Sequence, residues 1–129
     1  DVVAADDFSN SANKKELHIF NISDGWQGLD IGTESIKVFS KVIINAKTIL
    51  WNGPMGVFEM PNFSNGTKAI GEAIKISTQN GAYSLVGGGD SVSAVKDFGL
   101  DNDVSYVSTG GGAMLESLEG KILPGIAAL

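Results

Sequence analysis

The sequence contains neither cysteine nor arginine. The first absence excludes a disulfide framework and any thiolate metal site, and it suits a reducing, cytoplasmic setting. The second absence says more about chemistry. All nine cationic side chains are lysines, whereas sites that hold phosphate through side chains commonly recruit the bidentate guanidinium. A phosphate site here must use backbone N–H groups and a metal ion, or borrow side chains from elsewhere. Cations are also outnumbered: nine against fifteen acids leave a net charge of −6, which disfavours nucleic acid and anionic membranes as partners. No apolar run approaches the ~20 residues that a helix needs to cross a bilayer, and no stretch has the layout of a signal peptide. The single histidine, His18, sits in a short apolar run without a Ser or Asp pattern around it, so a hydrolytic triad is not expected.

What is present is a chain of 129 residues with 43% hydrophobic content and 17 glycines, enough for one compact α/β domain. Between residues 33 and 46, Ile36, Phe39, Val42 and Ile43 recur at helical spacing. The run 48–51 then reads as a buried strand stopped by Asn52-Gly53-Pro54. A second helix is expected over 67–78, with Ala69, Ile70, Ala73 and Ile74 on its stripe, followed by a strand over 83–86 that ends at Gly87-Gly88-Gly89. A short helix over 91–98, a strand over 104–107, the loop Thr109-Gly110-Gly111-Gly112 and a last helix to Gly120 complete the rhythm. Three alternations of helix, strand and glycine loop predict a three-layer, doubly wound, mainly parallel sheet of the Rossmann-like kind. The beginning fits this pattern less well. Residues 1–5 and 17–20 read as two further strands, Lys14 and Lys15 as a solvated loop, and 24–32 as a glycine-punctuated loop. Because Asp1 opens directly onto a buried-strand pattern, the chain is expected to be an incomplete domain of a larger protein.

Ligands of open parallel sheets bind beyond the carboxyl ends of the strands. Three loops converge there: Asn52 to Gly56, Gly87 to Ser91, and Ser108 to Gly112. Without Cβ atoms, the glycine triplets let backbone approach a ligand, and each following helix offers free N–H groups to an anion. One helix terminus contributes only about 0.3–1 kcal/mol, while micromolar affinity needs about 8 kcal/mol. A cation or a fitted base pocket must therefore add the rest. Asp90 could hold Mg²⁺ against phosphate oxygens, or it could be the N-cap of its helix; the Gly-Asp-Ser step alone is compatible with both. Trp26 and Trp51 read as core residues rather than stacking platforms. The Walker-type P-loop pattern is absent, and neither glycine triplet continues as G-x-G-x-x-G, because Val92 and Leu115 occupy the last position.

Read together, residues 25–32 (GWQGLDIG), 51–59 (WNGPMGVFE), 66–69 (GTKA), 87–91 (GGGDS), 108–113 (STGGGA) and 123–125 (LPG) resemble phosphoglycerate kinase along the whole chain. The resemblance implies a glycolytic, cytoplasmic and usually monomeric enzyme of two domains. Its reaction is reversible phosphoryl transfer between 1,3-bisphosphoglycerate and Mg-ADP, giving 3-phosphoglycerate and Mg-ATP. It also implies that residues 1–129 are the later part of the C-terminal nucleotide-binding domain, with the N-terminal, acidic-substrate domain outside this chain. On the same ground, Gly28 and Leu29 border the adenine, with Asn52, Pro54 and Val57 completing that side, and Glu59 takes the ribose hydroxyls. Gly88, Gly89 and Ser91 meet the phosphates, Asp90 holds magnesium, and Gly110, Gly111 and Gly112 face the transferring phosphoryl group. Thr33 departs from the proline common in the family, without bearing on these assignments. The alternative is a stand-alone nucleotide- or phosphate-binding module without catalysis.

Overall fold

A computed structural model describes residues 1–129. Two small sheets organise the chain. The first is antiparallel, with β1 (Val2–Ala5) between β2 (Lys14–Leu17) and β3 (Gln27–Ile31). The second is parallel, in the order β4 (Thr48–Trp51), β5 (Tyr83–Gly87), β6 (Tyr106–Ser108). The helices are α1 (Thr33–Asn45), α2 (Asn65–Gln79), α3 (Gly89–Asp97), α4 (Gly111–Leu118) and the short α5 (Pro124–Ala127). None is long and apolar enough to cross a membrane.

The β4–α2–β5–α3–β6 succession is the expected α/β pattern. In-register Trp51, Val86 and Val107 face one side of the parallel sheet. There Trp51 and Val86 meet Ile70 and Ile74 of α2, Val92 and Val95 of α3, and Leu100, all buried. On the opposite face α4 covers the carboxyl end of β5, where Met114 fills the space beside Gly87. Helices on both faces make the three layers. Further back on that face, Leu50, Tyr83 and Tyr106 remain exposed.

The first thirty residues differ from the sequence expectation. The segment 24–32 is not simply a loop: its residues 27–31 form β3, paired to β1 with a bulge between Val3 and Ala4. Glycine masks a strand in propensity terms, but β1 offers a free edge and tertiary pairing overrides the preference. The second strand lies at Lys14–Leu17 rather than 17–20, and residues 19–21 form a 3₁₀ turn whose N-cap is His18. Lys14 and Lys15 therefore belong to a strand. Lys14 donates to Asn62, and Lys15 stacks over the half-buried Trp26 ring at 3.8 Å. The predicted apolar stripe of α1 exists, yet no α1 residue is buried, because no element of this chain packs over Phe39 and Val42.

The antiparallel sheet also closes two helix ends. At α1, Asp1 accepts from the N–H groups of Glu34 and Ser35 (3.0 and 2.7 Å), and Glu16 accepts from that of Thr33. At α2, the Asp30 carboxylate accepts from Gly66 N–H at 2.8 Å. The carboxylates of Asp1, which precedes β1, of Glu16 in β2 and of Asp30 in β3 thus satisfy N-terminal donors that would otherwise attract an outside anion.

Candidate functional site

The N-termini of α3 and α4 are built in the opposite way. Their N-cap positions are Gly88 and Gly110, and no side chain caps either helix. Both open at the carboxyl edge of the parallel sheet, immediately after β5 and β6. They also touch. A Cβ on Gly111 would lie 2.3 Å from the Gly88 nitrogen and 2.7 Å from its Cα, so the two glycine loops meet backbone to backbone. Gly88 has φ +88°, in the left-handed region, and Asn52 Oδ1 occupies the space its Cβ would take. Glycine at 88 and 111 is therefore required for distinct reasons, conformation plus packing at the first and close approach at the second. Gly89, Gly110 and Gly112 face open space.

Asp90 is the second residue of α3, exposed, and engaged in no hydrogen bond or ion pair. The cap position belongs to Gly88, so of the two roles compatible with the sequence the capping one is not realised. The donor set fits a magnesium ion of one particular kind. No group of three or more His, Asp or Glu side chains could cage a metal without help, whereas one free carboxylate beside open helix N–H donors is a set that would suit Mg²⁺ shared with phosphates.

A cleft of about 290 Å³ opens between β3 and the loop that follows β4, lined by Gly28, Leu29, Asp30, Pro54, Gly56 and Val57 among others. Its size falls at the lower end of small-molecule sites, ~300–1,000 Å³, enough for a planar heterocycle but not a whole nucleotide. Its walls are tied together. Val57 N–H donates to Leu29 C=O at 2.8 Å, joining the 52–59 loop to β3. Buried Thr67 Oγ1 accepts from the N–H groups of Met55 and Gly56 at 3.1 and 3.2 Å. Asp30, also buried, accepts from Ile31 and Gly66 and fills the space beside Gly56 and Gly66. Burial pushes its carboxyl pKa above the ordinary value, against the lowering influence of those two N–H bonds and of Lys14.

The structure thus brings Gly28, Leu29, Pro54 and Val57 into one cleft and Gly88 to Ser91 with Gly110 to Gly112 to one sheet edge. Asn52 stands between them, against Gly88. Glu59 is exposed and outside the cleft lining, and the hydroxyl of Ser91 turns inward to accept from Gly53 N–H. Asp30 and Thr67 are organising residues that sequence reasoning did not single out. The only signal for Asp30 was an acid inside an apolar run, Leu29-Asp30-Ile31. A second groove of about 320 Å³, between α1, β4 and α2, is lined by hydrophobic residues only and offers nothing to orient a charged ligand.

Fold and site together define an α/β domain with two uncapped helix N-termini at the carboxyl edge of a parallel sheet. Comparison with known proteins is more specific. The phosphoglycerate kinase family model matches residues 1–121. The phosphoglycerate kinase of Porphyromonas gingivalis is 61% identical over 129 residues, covering all of this chain and 31% of that protein. That of Rhodococcus erythropolis is 57% identical over 130 residues, covering all of this chain and 32% of that protein. The solved phosphoglycerate kinase of Coxiella burnetii superposes with a TM-score of 0.88 at 44% identity, over 94% of this chain and 31% of that one. The Pyrococcus horikoshii enzyme gives 0.80 at 32% identity, over 99% and 31%. The chain belongs to the phosphoglycerate kinase family, and it spans about 31% of the length of these relatives.

Proposed function

We propose that this chain is the Mg-nucleotide half of a glycolytic phosphoglycerate kinase. Its parent transfers a phosphoryl group reversibly between 1,3-bisphosphoglycerate and Mg-ADP, giving 3-phosphoglycerate and Mg-ATP. In this reading residues 1–129 are the later part of a C-terminal domain, and the acidic substrate is held by a separate N-terminal domain. The observation that carries it is the meeting of two uncapped helix N-termini, one of them held against Asn52 of the loop that also walls the cleft.

Phosphoryl transfer asks chiefly for positioning and for neutralisation of charge on the equatorial oxygens, not for a protein nucleophile. Gly28, Leu29, Pro54 and Val57 receive the base, Asn52 stands at the junction, and Glu59 reaches for the ribose. The N–H groups at the start of α3 receive the nucleotide phosphates, and those at Gly110 to Gly112 face the group in transit. Asp90 holds magnesium, which when bound supplies the positive charge that the phosphates need. A chain without arginine leaves the remaining cations to the rest of the parent, so residues 1–129 bind nucleotide without turning it over. The parent is a cytoplasmic monomer in this reading.

Calorimetric titration with Mg-ADP tests the reading. Binding is expected to weaken at least tenfold in Asp90→Asn and on adding EDTA, since charge-assisted contacts are worth about 1.5–3 kcal/mol. Binding indifferent to both would remove the metal from the site.

A further inference from the structure

Two hydrogen bonds near the site have no place in the scheme above, and both end on Gly53. Its N–H donates to Ser91 Oγ at 2.6 Å, and its C=O accepts from Trp51 Nε1–H at 2.8 Å. Ser91 is fully buried in the first turn of α3, and Trp51 is buried at the end of β4. Gly53 itself has φ +111°, a conformation that side-chain-bearing residues rarely adopt. A backbone so free in the unfolded chain is held at both its donor and its acceptor. The next residue, Pro54, lines the base-sized cleft.

We propose that Ser91 is a positioning residue whose hydroxyl fixes the nucleoside wall to the phosphate-binding helix, through Gly53. This rests on the nucleotide reading of the site. The family resemblance implies that Ser91 meets phosphate. The structure gives its two polar ends separate tasks: the backbone N–H lies at the open end of α3, while the side-chain oxygen reaches the 52–59 loop. Base and phosphate subsites then keep one spacing, and a nucleotide gains from both at once because neither must reorganise on binding. Removing the hydroxyl frees Gly53 and leaves its N–H without a partner. The cost falls on ligands that carry a base.

The test compares Mg-ADP with Mg-pyrophosphate in calorimetric titrations of the chain, its Ser91→Ala variant and its Trp51→Phe variant. Exchange of the Gly53 amide is followed by NMR in each. Ser91→Ala is expected to lower the ratio of ADP to pyrophosphate affinity about tenfold, roughly the worth of one hydrogen bond. Trp51→Phe, which removes the donor together with part of the buried indole, should lower the same ratio. Gly53 should be protected from exchange in the parent chain and unprotected in Ser91→Ala. Equal loss for both ligands would overturn the proposal, because Ser91 would then touch phosphate directly; so would no loss for either ligand. Failure of the parent chain to bind either ligand would count against the nucleotide reading. In that case the strut stands or falls on the Gly53 amide, and rapid exchange in the parent chain would remove it.

Discussion

Gly111→Ala is expected to separate the two glycine loops and to lower affinity for any phosphate-bearing ligand by about 10- to 100-fold. The added methyl would lie 2.3 Å from one backbone atom of Gly88 and 2.7 Å from another. Backbone cannot step aside as the end of a flexible side chain can. Overpacking of this kind costs about 1–3 kcal/mol, or one to two decades in a binding constant. The apo chain should also melt lower, by on the order of 5–15 °C. Gly112→Ala supplies the contrast, because nothing lies within 4 Å of a Cβ there. That variant should keep the parent melting temperature, and any loss of binding would report contact with ligand alone. Thermal unfolding and pyrophosphate titration of both variants would decide. A Gly111→Ala chain that melts and binds like the parent would mean that the loops need not touch.

Asp30→Ala should be the most destabilising single change in the wall of the base-sized cleft, by roughly 2–5 kcal/mol. It leaves the buried Gly66 N–H and the Ile31 N–H without their acceptor, at about 1–3 kcal/mol for each unsatisfied group. It also empties the space beside Gly56 and Gly66. Asp30→Asn keeps the shape and one acceptor oxygen, and should cost less. The two variants separate the loss of both acceptor oxygens from the loss of one oxygen together with the charge.

The pH dependence has a definite sign. Burial raises the folded pKa of Asp30 above its ordinary value of 3.8, so the folded state binds that proton more tightly than the unfolded state. The stability contributed by protonation is fully present below the ordinary value and is lost as pH rises through the raised folded value. In urea titrations, the parent's advantage over Asp30→Asn should therefore shrink as pH climbs through that window. An advantage that grows with pH would show that the N–H bonds outweigh burial.

Legibility differed along the chain for physical reasons. From residue 48 onward, apolar strands bounded by Asn-Gly-Pro and glycine triplets leave little choice of structure, and β4 lies at Thr48–Trp51 as the pattern predicts. Strand β3 escaped because its Gly28 and the flanking Gly25 and Gly32 advertise a turn, while its pairing partner β1 lies more than twenty residues away. The stripe on α1 was readable, but its cover was not, since periodicity shows which face is apolar and not what lies against it. Candidate loop residues were readable from glycine placement and family resemblance. Their division into cleft, edge and strut was not.

Taken alone, the sequence settled the alternation of helix and strand, the three glycine loops at one edge, and the kinship with phosphoglycerate kinases. Local spacing and turn chemistry carry that information within a few residues. Only the tertiary structure decided which helix ends are open. The carboxylates of Asp1, Glu16 and Asp30 close α1 and α2 from positions distant in sequence, while α3 and α4 receive no cap. It likewise turned the Ser91 hydroxyl onto Gly53 and set Gly111 against Gly88. A hydrogen bond or a close backbone approach between residues tens of positions apart depends on how the layers stack, and no local pattern encodes that.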